Sequence, residues 1–326
     1  MTSLDRFDIL GPIGQGGQGQ TYLARDHTTG ERVALKRLAL RLVDNWKALE
    51  LFEREGRVLQ NLSHPQIPSF IAAFVDETDE GPRFYLAQEY VDGRSLQQQL
   101  DDGVCWEPAR AVSFLQSILG VLDYLGSLRP PIVHRDIKPA NIVEREDGSW
   151  ALVDFGAVQA IVPAEAGGST VVGTTGYVPP EQVMGRAEPA SDQYALAATV
   201  AHMLTGEHPG DLADGGLGFD VGAHLDAPAT VVDLLECMLA ACPEDRFESA
   251  SAALRAVEQI ELSAGESSDS SDPSAAIEHH PGRSQRFDLV REAGRLDLPA
   301  TLERDRVQFS IWSPFMPSIV EPIAEG

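Results

Sequence analysis

The sequence predicts an α+β protein: a small, mainly antiparallel strand region carrying one helix comes first, and a larger, mainly helical region follows. Three observations carry this reading. Residues 7 to 36 set short apolar runs between glycine-rich and polar turns, the pattern of a three-strand start. Residues 94 to 129 and Ser191 to Leu204 carry apolar helical patterns instead. A chain of 326 residues with 43% hydrophobic content can bury one large core or two smaller ones, so one to two domains are expected.

The first strand is read at Phe7-Asp8-Ile9-Leu10. It leads into Gly11-Pro12-Ile13-Gly14-Gln15-Gly16-Gly17-Gln18-Gly19. A second strand follows from Gln20 to Arg25, then a turn at Asp26 to Gly30, then Val33-Ala34-Leu35-Lys36. Gly14, Gly16 and Gly19 match G-x-G-x-x-G. Dinucleotide-binding folds share that motif, but there a helix follows the loop. Here a strand and a hairpin turn follow, so the glycines cap a flap of sheet. Glycine lets backbone amides come close to phosphates. An ordinary glycine-rich hairpin is the alternative, and Val-Ala-Leu-Lys at the following strand counts against it. Residues 45 to 62 have helical periodicity through Leu51, Phe52, Val58, Leu59 and Leu62, with Glu53 and Glu55 on the same segment. Phe84 to Gly93 reads as a buried strand running into a connector. The apolar run from Ala111 to Leu128 is helical, and Ser191-Asp192 is a helix start signal.

The densest chemistry lies between Ile132 and Gly156. Ile132-Val133-His134-Arg135-Asp136-Ile137-Lys138-Pro139-Ala140-Asn141 and Ala151-Leu152-Val153-Asp154-Phe155-Gly156 are two apolar segments that each end in an acid. Moving a phosphoryl group needs a base for the incoming hydroxyl, a cation to offset charge on the phosphate, and oxygens to hold magnesium. Asp136, Lys138, Asn141 and Asp154 supply these.

On these residues the chain resembles the eukaryotic-like (bacterial, Hanks-type) serine/threonine protein kinases. The resemblance covers residues 5 to 262 and rests on elements in matching order with fitting gaps. It implies a two-lobed fold, with a small lobe at about 1–91 and a large lobe at about 92–262. It implies ATP and Mg2+ as cofactors, with Mn2+ as a substitute, and transfer to serine or threonine hydroxyls of protein substrates in signal transduction. Lys36 ends the family's V-A-L-K and is implied to meet the α- and β-phosphates. The pattern E-x-x-x-L-x-x-L-x-H-P, counted back from Leu59, Leu62 and His64-Pro65, selects Glu55 over Glu53 as its partner. Asp136 is implied as catalytic base, Lys138 as the cation on the transferring phosphoryl, and Asn141 and Asp154 as metal ligands. Nucleotide contacts are implied at Gly14, Gln15, Gly16, Gly17, Gly19, Thr21 and Ala34, and along the hinge at Gln88, Glu89 and Val91. Gln88 falls at the gatekeeper position. His134 and Phe155 are expected to pack internally rather than act chemically.

Arg135 is implied to pair with a phosphorylated activation loop, for which Ser169 and Thr170 are the candidate phosphosites. Gly173-Thr174-Thr175-Gly176-Tyr177-Val178-Pro179-Pro180-Glu181 matches G-T-x-x-Y-x-x-P-E, and Thr174 is implied to form the substrate floor. Pro179 departs from the family's alanine. Asp192 is implied to hold the catalytic-loop backbone, and Glu181 is expected to form a buried ion pair with Arg246. The glycine loop departs from the pattern too: Gln18 replaces an aromatic tip, and Thr21 an apolar residue that rests on adenine. Those departures motivate a second hypothesis, a pseudokinase scaffold, against which every catalytic position is filled. A small-molecule kinase is a third, and Gly173 to Glu181 opposes it.

Composition narrows the partners. Fifty acidic against 25 basic residues give a formal net charge of −25. That field repels phosphate backbones and anionic lipid heads, so neither nucleic acid nor membrane is expected. Three cysteines with no C-x-x-C pair fit a reducing compartment. The acids near Met1 do not suit a signal peptide, and no run of about 18 apolar residues is present. A cytoplasmic location is expected. A transient homodimer for trans-autophosphorylation is a further partner expectation. Only Lys36, Lys47 and Lys138 are lysines, against 22 arginines. GC-rich codon use and adaptation to high internal salt both account for this, and the first is the more ordinary. Two of the three lysines sit at motif positions, where a compact ammonium and a guanidinium are not interchangeable.

Residues 263 to 285 read as a disordered linker rich in serine and acid. His279-His280 in its continuation is expected to be solvated. The segment 286–326 is different: Phe287, Val290 and Ala293 have helical spacing, and Val307 to Ile311 alternates as a strand. It is expected either to dock on the kinase domain or to bind a partner.

Overall fold

A computed structural model of the chain describes residues 3–16, 19–39, 46–160, 176–212 and 221–267. Their backbone divides into two compact units. The small unit comprises residues 3–94 and 143–158, and the large one residues 95–142 and 159–267.

The small unit is built on a five-stranded antiparallel sheet. Its strands are β1 (Phe7–Gln15), β2 (Gly19–Asp26), β3 (Arg32–Leu38), β4 (Phe70–Thr78) and β5 (Gly81–Glu89), in the order β1-β2-β3-β5-β4. Successive strand residues face opposite sides. One side therefore gathers Phe7, Ala24, Val33, Leu35, Phe74, Tyr85 and Ala87 into an apolar cluster. Phe74 stacks on Phe7 at 5.6 Å and on Tyr85 at 5.2 Å between ring centroids. Helix α1 (Trp46–Gln60) carries Phe52, Val58 and Leu59 inward. The turn Ser3–Arg6 is fastened by Arg6, whose guanidinium grips buried Asp26 through Nε at 2.9 Å and Nη2 at 2.5 Å.

The expected boundary between 91 and 92 gives way to a discontinuous unit. The segment with the short strands Ile142–Glu144 and Trp150–Leu152 returns to the first unit. The Gln66 amide donates to the Trp150 carbonyl, the Leu152 N–H donates to the Gln66 carbonyl, and Arg145 reaches the Pro65 carbonyl. The backbone of residues 65–66, just before β4, needs these partners, so residues far along the chain complete the unit.

The large unit is helical. Helix α2 (Leu96–Asp101) starts on a reciprocal cap in which Ser95 and Gln98 satisfy each other's backbone N–H. Helix α3 (Pro108–Ser127) begins on proline at its first turn and buries Ala111, Phe114, Leu115, Ile118, Leu119, Leu122 and Leu125. Helix α4 (Pro180–Val183) is a single turn, and α5 (Pro189–Thr205) is buried nearly all round. Gly206, at φ 72°, ends α5 in the left-handed conformation that suits glycine. The short α6 (Val221–His224), then α7 (Ala229–Met238) and α8 (Ala250–Ser267), complete the unit. Helix α3 packs on α5 and α8. Helix α8 runs to Ser267, so the first five residues expected in the linker are helical instead. The remainder of that linker, the 286–326 segment, Gly17, Ser169, Thr170 and Thr174 lie outside the described residues. No helix among the described residues is long and apolar enough to cross a membrane.

Candidate active site

In the small unit the sheet register places the nucleotide candidates on one face. Thr21 pairs with Lys36, Leu23 with Ala34, and Ala34 with Gln88. Thr21, Ala34, Lys36 and Gln88 thus share the face opposite the apolar cluster. The β1–β2 hairpin closes where the Gly16 N–H donates to the Gly19 carbonyl at 2.9 Å and the Gly19 N–H donates back at 3.3 Å. Its glycines are there for different reasons. A Cβ on Gly19 would lie 2.0 Å from the Arg37 carbonyl oxygen, so packing excludes one. A Cβ on Gly16 would meet nothing within 4 Å, and one on Gly14 only Thr21 Cβ at 4.0 Å. Their bareness leaves backbone open to an approaching group. Gln15 pairs with Gln20 on the same hairpin. At the end of β5, the Glu89 carboxylate accepts from the Ser69 N–H and hydroxyl at 3.1 and 3.0 Å. Its acid group is therefore tied within the fold, as is its N–H, which donates to the Ser69 carbonyl at 2.9 Å. Val91 follows two residues on.

Lys36 is the electrostatic centre of this unit. Its Nζ lies 3.0 and 2.7 Å from the two Glu55 carboxylate oxygens and 2.8 Å from Asp154 Oδ1. Glu55 is 0% exposed, whereas the Asp154 side chain is 47% exposed. Burial alone would depress the ammonium; the two carboxylates outweigh it and hold Lys36 charged, above its ordinary pKa. Burial also pushes the Glu55 carboxyl up, to about 7, against the pull of Lys36. The competing Glu53 pairs on the helix surface with Arg57 at 3.6 Å. Asp154 stands in the left-handed region at φ 62°, and its Oδ1 accepts from the Gly156 N–H. Phe155 is buried.

The large unit holds the other candidates in one hydrogen-bonded loop. Lys138 Nζ lies 2.8 Å from Asp136 Oδ2. The Asn141 amide donates to the same oxygen at 2.9 Å and to the Asp136 carbonyl at 2.8 Å. The loop is fixed from beneath by Asp192 of α5, whose two carboxylate oxygens accept from the His134 N–H at 2.7 Å and the Arg135 N–H at 2.8 Å. Burial pushes the Asp192 carboxyl up, to about 7, while those two donors pull it down. His134 is buried. Arg135 takes φ 71°, a strained conformation for a long side chain. Two residues not singled out from sequence hold it there. Gln182 donates to the Arg135 carbonyl at 2.7 Å, and Gln159 accepts from Arg135 Nη1 at 2.9 Å. Gln182 adjoins the Glu181 motif, which is a clue of position; nothing in the residues around Gln159 marks it.

Glu181 and Arg246 form a two-pronged buried pair, Nη1 to Oε1 at 2.7 Å and Nη2 to Oε2 at 3.1 Å. Ser191 also donates to Glu181, and Arg246 donates to the carbonyls of Ala190, Ala240 and Ala241. Burial would raise the Glu181 carboxyl, but Arg246 and Ser191 hold it below its ordinary range.

Each candidate metal ligand suits magnesium in its own chemistry. Asp154 offers a half-exposed carboxylate. Asn141 spends its amide N–H groups on Asp136, which leaves its amide oxygen as an acceptor. Among the described residues no group of three or more His, Cys, Asp or Glu could hold a metal by itself. Magnesium is commonly held by one or two protein oxygens together with substrate phosphates, which agrees with so sparse a donor set.

These features give a strand-rich unit with a paired lysine and glutamate, and a helical unit with an Asp-Lys-Asn loop. A model of the protein kinase domain matches residues 7–256. The chain belongs to the protein kinase domain family. It is similar to serine/threonine-protein kinase B of Synechocystis sp., 34% identical over 277 residues, which covers 78% of this chain and 46% of that protein. It is also similar to serine/threonine-protein kinase PknA of Nostoc sp., 34% identical over 274 residues, 78% of this chain and 47% of the relative. Serine/threonine-protein kinase PknB of Mycolicibacterium smegmatis is 34% identical over 211 residues, 63% of this chain and 33% of the relative. The chain spans about half the length of the first two relatives.

Proposed function

We propose that this protein transfers a phosphoryl group from ATP to serine and threonine hydroxyls of protein substrates, its own chain included, in a signalling role. The observation that carries the reading is the convergence of Lys138 and Asn141 on one oxygen of Asp136. It orients a carboxylate whose chemistry is to accept or direct the proton of an incoming hydroxyl. Lys138 brings a positive charge that offsets charge on the moving phosphoryl. Lys36, held charged and aimed by buried Glu55, is a compact cation for the α- and β-phosphates. Bare backbone at Gly14 and Gly16 suits the phosphates, and Ala34, Thr21 and Gln88 line the sheet face assigned to the nucleoside. Asn141 and Asp154 would each offer an oxygen to magnesium, which when bound would neutralise charge on the phosphates. The relatives named as serine/threonine kinases support the choice of acceptor.

Purified protein incubated with ATP, magnesium and a generic protein substrate tests this. Wild type is expected to label serine and threonine, and Asp136→Asn to lower kcat by roughly 10²–10⁴-fold, the usual contribution of a positioned acid or base. Equal labelling by the two proteins, or none by wild type, would sink the assignment in favour of a scaffold.

A further inference from the structure

Arg135 is 3% exposed and is held through its backbone and through one nitrogen of its guanidinium. Its N–H goes to Asp192, its carbonyl to Gln182, and its guanidinium to Gln159. These partners are side chains of the large unit. Gln159 sits on the two-residue strand Gln159–Ala160, which pairs antiparallel with Ile132–Val133, so Gln159 lies opposite Val133. That pairing fixes the position of the glutamine relative to the loop it serves. Arg135 immediately precedes Asp136, and its φ of 71° sets the direction in which the chain enters the catalytic residue. The strain of that conformation persists only where surroundings over-determine it. A neutral amide oxygen here does what a phosphate oxygen would do: it accepts from the guanidinium and gives that buried group a hydrogen-bonded partner.

We propose that Gln159 is a positioning residue that anchors Arg135, and through it Asp136, without phosphorylation of the activation loop. This rests on the kinase reading above, and it replaces the phosphate dependence that Arg135 implies by resemblance. Loop phosphorylation then modulates an already assembled loop instead of assembling it.

The test uses the full chain, stripped with a phosphatase and checked by mass spectrometry. The dephosphorylated wild type is expected to keep most of its kcat. Dephosphorylated Gln159→Ala is expected to lose about tenfold or more in kcat with little change in KM for ATP, the signature of a displaced catalytic group. Gln159→Glu, which restores an acceptor for the guanidinium, is expected to recover it. Amide hydrogen exchange across residues 132–141 gives a readout that needs no activity: slow in dephosphorylated wild type, faster in Gln159→Ala, slow again in Gln159→Glu. If the alanine variant fails to fold, Gln159→Asn, one methylene shorter, takes its place. A collapse of wild-type activity on dephosphorylation overturns the proposal. So does exchange in the alanine or asparagine variant identical to wild type. If every form is inactive, the kinase reading falls, and the exchange comparison still decides the anchor.

Discussion

Gly93 has φ 154°, and a Cβ there would lie 2.1 Å from the Glu144 carbonyl oxygen and 2.8 Å from its carbon. Both the backbone conformation and the space demand glycine. Gly93→Ala should cost about 1–3 kcal/mol from the backbone alone, with more for displacing Glu144, and chemical denaturation would measure it. Gly16 is the contrast. An alanine there meets nothing, so Gly16→Ala should leave stability nearly unchanged and act, if at all, on nucleotide affinity. The two glycines look alike in sequence and differ in backbone conformation and in what surrounds them. The same holds for the loop residues. Asp136, Lys138, Asn141 and Asp154 are legible because phosphoryl transfer restricts the residue types that serve it. Glu55 is legible because the pattern of the family that the chain resembles selects it over Glu53. Gln159 and Gln182 are not, because an amide can hold a guanidinium or a carbonyl in any sequence context, and only three-dimensional register brings them to Arg135.

Elements are tied by charged pairs whose burial differs, and the energetic consequences differ with it. Arg246 is fully buried against Glu181 of α4 and sits 5.0 Å over the Tyr194 ring of α5. Its loss leaves a buried carboxylate without its counter-charge, so Arg246→Leu should destabilise the large unit by about 3–5 kcal/mol. Thermal unfolding would show it, and the double variant with Glu181→Leu should recover part of the loss. The resemblance to the kinase family implies this pair from sequence. The clasp between the Ser3–Arg6 turn and β2 is not predictable that way, since Arg6 and Asp26 belong to no motif. Arg6 first, then the Thr28 N–H, lower the Asp26 carboxyl from 3.8 to about 2 despite its burial. A carboxyl depressed in the folded state adds stability that is present above its unfolded pKa and is lost as pH falls through its folded one. The contribution is therefore expected in full above about pH 4 and to fade towards pH 2. Urea unfolding across that window should show a steeper loss for wild type than for Asp26→Asn.

For the molecule as a whole, a formal charge of −25 sets a self-repulsion that the fold must overcome. Potassium chloride at about 0.5 M shortens the screening length to less than half its value near 0.1 M, so the melting temperature should rise with added salt. Unfolding outright at low salt would point to a chain adapted to a saline interior; a modest rise fits ordinary codon bias. The two-part organisation was legible because strand and helix patterns segregate along the chain. Its true boundary was not, because residues 143–158 join the small unit through single bonds such as Gln66 to Trp150, which leave no periodic trace. That discontinuity has a consequence during synthesis. The small unit cannot be finished when residue 94 leaves the ribosome; it must wait for residue 158, which is 158 − 94 = 64 residues later. At about 5–20 residues per second the sheet spends roughly 3–13 seconds incomplete, with the backbone beside Gln66 still unpaired. A nascent chain stalled within that interval is the form of this protein that a chaperone or a protease would meet first.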